Sequence, residues 1–292
     1  MPPASPAPAA LGAMRPAEAS LLRWAHAKGV KESWPLRPAF CPESNCRGMV
    51  ATRAIQEGEE VLRIPEELLM SIDTAMRSTQ IRALTARAAS SGVRLCERQL
   101  LSIHLLEERR RGAHSPWHHF IQTIPRSFDT VENWASEDVE ALQLPSLLRM
   151  AHTRRAGVDA EWAGLAPLLC DACPGMALRE EDYRWAVGAI SSRSCSFQHH
   201  ANVDLHGESV GALVPVLDLL NHASGEVATC GFNSDARAYQ VRVHRAYAPG
   251  EQVLIHYGAW SNAKLLEFYG FALPHNFRDS VHIHARAARS IP

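Results

Sequence analysis

Two short segments of this 292-residue chain end in side chains that can hold a ligand. The first, G-A-L-V-P-V-L-D-L-L-N-H at 211–222, is apolar from 214 to 220 apart from Asp218 and closes on Asn221 and His222. The second, G-E-Q-V-L-I-H-Y-G at 250–258, leaves a Pro249-Gly250 turn and closes on Tyr257 and Gly258. An apolar run of this length is a buried short strand or a buried helical turn. In either form Asp218 and Asn221 need partners, because buried polar groups are hydrogen-bonded. An asparagine amide both accepts and donates. A phenol next to reacting atoms can orient them. Arg193, in S-S-R-S at 191–194, can supply a cation. Two strands ending in such side chains can line one pocket. Each residue also has a plainer role open to it: a turn for Asn-His, core packing with one hydrogen bond for Tyr257, a solvated surface for Arg193.

The elements that must position these residues are readable in outline. Residues 17–28 carry Leu21, Leu22 and Ala25 at helical spacing and stop at Gly29. Residues 49–54 and 61–64 read as two strands joined through Gln56-Glu57-Gly58 in a hairpin-like unit that Pro65 ends. Residues 74–92, 98–111, 136–144 and 180–190 read as helices, the last acidic at its start, as the helix dipole prefers. The charged end of 98–111 reads as a solvated helix terminus. Strands are expected at 210–216, 228–232, 239–244 and 253–256. Short strands with Gly, Pro and Asn turns, interrupted by an all-helical middle, imply an α+β chain with a compact β-rich core rather than a doubly wound parallel sheet. Neither a Rossmann nor a P-loop glycine motif occurs.

The bulk numbers exclude several function classes. Lys and Arg number 30 against 31 Asp and Glu, for a net charge of −1. No global basic field points to nucleic acid or an anionic membrane, so neither is expected as a partner. Lysine is confined to Lys28, Lys31 and Lys264, and arginine carries nearly all the positive charge. No signal peptide or membrane-length apolar run is present. Seven cysteines form no regular framework. Cys170 and Cys173 make one C-x-x-C with no second pair to complete a zinc site. His199-His200 and His282 with His284 lack metal-ligand partners, so no metal is expected. A soluble, reducing compartment follows, cytoplasmic or nuclear, with organellar targeting left open.

The words D-L-L-N-H, G-E-Q-V-L-I-H-Y-G and S-N-A-K-L-L-E-F-Y-G-F (261–271) come in order after an early R-G-M-V-A-T-R-A-I-Q-E-G-E-E-V-L-R-I-P (47–65). Together they resemble SET-domain protein methyltransferases, and within them the split-SET branch that includes the plant Rubisco large-subunit methyltransferase and its animal relatives. The resemblance covers most of 20–285. It implies a β-rich SET core of short strands interrupted by a helical insertion. The expected division is a disordered Ala/Pro-rich tail at 1–16, a first core part at 17–75, the insertion at 76–185, a second core part at 186–285 and a tail at 286–292. The C-terminal helical substrate-binding domain of full-length relatives is expected to be absent.

The resemblance implies S-adenosylmethionine as cofactor and a protein, histone or non-histone, as substrate, with the chain acting as a monomer. Such an enzyme mainly binds and aligns, because the cofactor already carries the reactive group. By the same resemblance Arg193, Asn221 and His222 contact the cofactor, His222 through its backbone. Asp218 belongs to that segment, with a structural role equally open. The family places backbone contacts just before Gly48, here at Asn45, Cys46 and Arg47; relatives commonly have a glycine and a bulky apolar residue where Cys46 and Arg47 stand. Tyr257 is the expected catalytic residue and also faces the cofactor. Tyr269 lines the target channel or packs on adenine, and Phe271 stands beside it or in the core. Lysine is the expected acceptor. Histidine, which one relative methylates, is the alternative within the class. A catalytically silent SET-like binding module is the alternative outside it.

Overall fold

Leu21, Leu22 and Ala25 give the first helix one buried face, and Pro16 opens it at a position where the missing N–H costs nothing. The computed structural model of the protein describes residues 12–31, 34–207 and 209–280. The expected tail at 286–292, most of that at 1–16, and His282 and His284 lie outside these residues. Helix α1 (Pro16–Ala27) leads into β1 (Leu36–Cys41) and β2 (Cys46–Ala51), an antiparallel hairpin whose turn holds Asn45 in the left-handed region at φ 49°. Strand β3 (Glu60–Pro65) follows. The chain then turns helical: α2 (Ile72–Ala75), α3 (Thr79–Ser90), α4 (Glu97–Arg111), α5 (His118–Ile121), α6 (Ser136–Glu140), α7 (Pro145–Ala172) and α8 (Glu180–Arg193). Strands return as β4 (Ser194–Cys195), β5 (Ala212–Leu213), β6 (Asn221–His222), β7 (Ala228–Asn233), β8 (Ala238–Val243) and β9 (Gln252–Ile255), and α9 (Asn262–Tyr269) closes the described chain.

These elements make a mixed α+β fold with three small sheets, ordered β1-β2-β9-β6, β3-β8-β7 and β4-β5. The early strands therefore share sheets with strands that follow the helical insertion. Strand β2 pairs with β9 at Met49↔Val253, and β3 pairs with β8 from Pro65↔Ala238 to Glu60↔Arg242. This corrects the expected hairpin between 49–54 and 61–64. Strand β2 already has both edges paired, with β1 and β9, and β3 pairs with β8 in a different sheet, so the two segments do not meet as a hairpin. One hydrophobic cluster runs from Met49 and Ile64 through Leu101, Val158 and Tyr183 to Val253, so the insertion and the sheets bury their apolar faces against each other. Helix α8 crosses the expected boundary at 185/186 without a break and delivers Arg193 at its end.

Two further expectations change. The strand foreseen at 210–216 shrinks to Ala212–Leu213, because Val216 takes φ 72° and turns the chain into a 3-10 turn at Leu217–Leu219. A β-branched residue in that region is strained, and full burial of Val216 on the core holds it there. The single helix foreseen at 74–92 is broken, and Ser78 caps α3 by accepting from Ile81 N at 3.3 Å. No described helix is long and apolar enough to cross a membrane.

Candidate active site

Strands β6 and β9 run parallel, with Asn221 opposite Leu254 and His222 opposite Ile255. Parallel pairing brings the C-terminal ends of two distant segments to the same edge. Here it sets Asn221-His222 beside His256-Tyr257. The backbone N–H of Tyr257 donates to His222 Nδ1 at 3.1 Å, and that of Ala223 to the Ile255 carbonyl at 2.9 Å. Burial, then the neighbouring His256, pulls the His222 pKa down to about 4. The imidazole is thus neutral and acts as an acceptor at Nδ1.

Asn221 is fixed from behind. Its Nδ2 donates to the Arg47 carbonyl at 2.9 Å and to Gln252 Oε1 at 2.8 Å, with Cys46 Sγ at 3.2 Å. Gln252 is held in turn by Glu43 and Ser44, both at 3.1 Å. With the amide nitrogen turned inward, Oδ1 is the end left to face a ligand. The approach requires a glycine at 48: a Cβ there would stand 2.6 Å from both Asn221 Nδ2 and Gln252 Oε1.

Arg193 leaves the C-terminal end of α8 and meets Asp218 in the 3-10 turn. Its Nη1 donates to Asp218 Oδ2 at 2.9 Å and to the Asp218 carbonyl at 3.1 Å. The Asp218 side chain is fully buried, and burial raises its pKa against the lowering effect of Arg193. Arg193 Nε and Asp218 Oδ1 are buried without a hydrogen-bond partner. Such atoms carry a desolvation cost that a ligand or water can relieve. Asp218 lies in the 3-10 turn and His222 in the strand that follows it.

An aromatic set completes the site. Tyr257 and Tyr269 lie 4.9 Å apart between ring centroids, His222 lies 5.1 Å from Tyr257, and Phe271 lies 6.1 Å from both His222 and Tyr269. The Tyr257 hydroxyl donates to the Leu220 carbonyl at 2.7 Å, and burial raises its pKa above the usual phenol value. Gly258 has φ 145°, and a Cβ there would run into the Trp260 ring. Tyr269 ends α9, where burial raises its pKa to about 12.

Two clefts meet at this set. One, of about 240 Å³, is lined by Arg47, Gly48, Phe128, Asn221 and Phe271. The other, of about 220 Å³, is lined by Cys195, Leu217, Cys230, Tyr239 and Ile255. Arg193, Asp218, Tyr257 and Tyr269 line both. Of the residues singled out in the sequence, Asn45 and Cys46 line neither cleft, and His222 reaches the site through Tyr257 and Phe271. The Arg47 guanidinium pairs with Glu18 of α1 at the mouth of the first cleft. Sequence reasoning missed Glu18, Phe128, Cys195, Cys230 and Tyr239. Gly188 could have pointed to Phe128: it lies inside α8, where a Cβ would stand 2.9 Å from the Phe128 ring. Among the described residues no three His, Cys, Asp or Glu side chains converge to hold a metal.

A family model described as "SET domain" matches residues 46–258. "Protein SET DOMAIN GROUP 40" of Arabidopsis thaliana is 27% identical over 305 residues, covering 90% of this chain and 60% of the relative. "Actin-histidine N-methyltransferase" of Canis lupus familiaris is 28% identical over 282 residues, covering 92% of this chain and 45% of the relative. Among solved structures, the SET domain of LSMT bound to lysine and AdoHcy aligns with a TM-score of 0.74 at 25% identity, covering 90% of this chain and 58% of that one. The chain thus spans less than two thirds of the length of each.

Proposed function

The chain belongs to the SET-domain family, and from that premise we propose that it transfers a methyl group from S-adenosylmethionine to a side-chain nitrogen of a protein, with lysine as the acceptor. The observation that carries this reading is the meeting of two clefts at Tyr257 and Tyr269. A donor in one and an acceptor in the other could approach each other from opposite sides, as an in-line displacement requires.

S-adenosylmethionine supplies an electrophilic methyl group on a sulfonium. The residues of the first cleft fit it. Asn221 Oδ1 can accept from its ammonium. The orphaned Arg193 Nε can donate to its carboxylate. Phe271 and Tyr269 offer aromatic surface to its adenine and sulfonium, with His222 packed behind Phe271. Arg47 lines this cleft with its guanidinium held by Glu18 and its carbonyl accepting from Asn221, so it shapes the wall and offers no free cation.

Tyr257 positions the acceptor. Its proton is committed to the Leu220 carbonyl, which leaves the oxygen lone pairs free to accept an N–H. Because burial raises its pKa, Tyr257 stays a phenol and orients the amine without acting as a base. A lysine enters as an ammonium, with a reference pKa of ~10.4, and must lose a proton before it attacks; a desolvated channel lowers that pKa. Leu217, Ile255 and Tyr239 give the second cleft apolar and aromatic walls that suit a methylene stem and exclude water.

Histidine is the second reading, supported by the similarity to an actin-histidine N-methyltransferase. A neutral imidazole needs no prior deprotonation at pH 7. The substrate on either reading is a protein, met by a monomer in the cytoplasm or nucleus. Labelled S-adenosylmethionine incubated with cell lysate and the enzyme, followed by mass spectrometry of the modified site, tests the proposal. A mark on lysine is expected. A mark on histidine alone would replace lysine as acceptor. No mark together with no cofactor binding in calorimetry would leave a silent binding module.

A further inference from the structure

The first cleft is lined by the start of α1, through Arg15 and Glu18, and by Pro38, Arg47 and Gly48 of the β1–β2 hairpin. One ion pair joins these two parts of the chain at the cleft mouth. Arg47 donates Nε to Glu18 Oε1 and Nη2 to Glu18 Oε2, so each carboxylate oxygen takes one N–H of the guanidinium fork. Glu18 Oε2 also accepts from the Arg15 backbone N–H at 2.7 Å, and Arg47 Nη2 reaches the Ala13 carbonyl at 3.4 Å. The two side chains are 19% and 7% exposed, so water competes for the pair only weakly.

Little else holds the start of α1. Leu21, Leu22 and Ala25 anchor the rest of the helix in the core, but among residues 12–20 Glu18 is the only buried one. Ser20 Oγ meets His119 Nδ1 at 2.9 Å and ties the helix to α5 past its first turn. The first turn is therefore held to β2 by charge, with no apolar side chain sunk beneath it. A helix end of this kind opens locally far more easily than the packed helix behind it. How often it opens is set by the pair that holds it.

We infer that Glu18 and Arg47 form a clasp on the mouth of the first cleft, which opens for S-adenosylmethionine to enter and for S-adenosylhomocysteine to leave. The inference rests on the cofactor reading above and adds to it a control on exchange. Asn221 Oδ1 and Arg193 Nε, the groups assigned to the cofactor, take no part in the clasp. A clasp that opens and recloses raises the barrier between the free and bound states and leaves their difference alone. It slows entry and exit by the same factor.

Association and dissociation of S-adenosylhomocysteine with the full chain, followed by surface plasmon resonance, test this. Glu18→Gln removes the charge and keeps an acceptor for the Arg15 N–H. Arg47→Met removes the guanidinium and keeps the backbone carbonyl that Asn221 uses. In each variant both rate constants should rise by about five-fold, with Kd within about two-fold and Tm close to that of the wild type. The double variant should be no faster than the faster single one, since both substitutions open the same clasp. Unchanged rate constants in both variants would overturn the inference while leaving the cofactor reading intact. A rise in dissociation alone would also overturn it, because the pair would then belong to the bound state rather than to the barrier. Absence of binding in the wild type would overturn the cofactor reading and the clasp together.

Discussion

Arg193 and Asp218 form a buried ion pair, Nη1 to Oδ2 at 2.9 Å, where the two clefts of the site meet. The pair draws α8, the last element of the insertion, onto the turn that precedes Asn221. Its side chains are 19% and 0% exposed, so the carboxylate has no contact with water and the guanidinium reaches it only through the clefts.

Removing the acid should therefore cost more than the pair contributes. Asp218→Ala leaves Arg193 buried and uncompensated and is expected to destabilise the chain by ~3–5 kcal/mol. Asp218→Asn keeps a hydrogen-bond acceptor and should lose less. Urea unfolding of both variants checks the order. A loss below ~1 kcal/mol for Asp218→Ala would mean that the arginine finds solvent.

The cofactor contact proposed for Asn221 rests on its side-chain amide. Asn221→Ala should weaken S-adenosylmethionine binding by ~1–3 kcal/mol, since a charged ammonium would lose its acceptor. Gly48→Ala should act in the same direction without removing a ligand atom, because its methyl would displace the Asn221 amide. Calorimetry on both variants, with circular dichroism to confirm the fold, decides. Unchanged affinity in Asn221→Ala would remove Asn221 from the site.

His222 makes stability pH-dependent with a definite sign. Its folded pKa of about 4 lies below the ordinary value of 6.5. Between those values the unfolded chain binds a proton that the folded chain refuses. The stability tied to the neutral imidazole is complete above pH 6.5 and is lost as pH falls toward 4. The wild type should lose Tm between pH 7 and pH 5, and His222→Asn, which lacks the titrating ring, should lose less. An NMR titration that placed the His222 imidazole at its ordinary value would contradict the buried, neutral acceptor that Tyr257 N–H requires.

Much of this site could be read from local sequence. The Pro249-Gly250 turn, the strand behind it and the Tyr257-Gly258 tip depend on neighbouring residues, and so do the Asn221-His222 end and the helical character of the middle. What stayed hidden depends on long-range register. Nothing within 46–65 says that β2 pairs with β9 and β3 with β8. The parallel pairing of β6 with β9, which creates the site, joins segments too short to declare a direction. Strand β1 carries Pro38 inside it, which hides a strand at the edge of its sheet. Glu18 looks like an ordinary first-turn acid until α1 packs over Arg47. Tyr239 and Cys230 alternate through strands as core residues would, and only the fold turns them toward the second cleft.

The role proposed for Tyr257 is to orient the acceptor through its hydroxyl while the cofactor rests on other residues. Tyr257→Phe keeps the ring against His222 and Tyr269 and removes only the oxygen that is aligned by the Leu220 carbonyl. Single-turnover methylation and calorimetry of S-adenosylmethionine binding on this one variant test that role. Turnover should fall by about 100-fold or more, ~2.7 kcal/mol, with little change in cofactor affinity. Near-normal turnover would reduce Tyr257 to packing and move the role to Tyr269, and a matching loss of cofactor affinity would contradict the division of the site into two clefts.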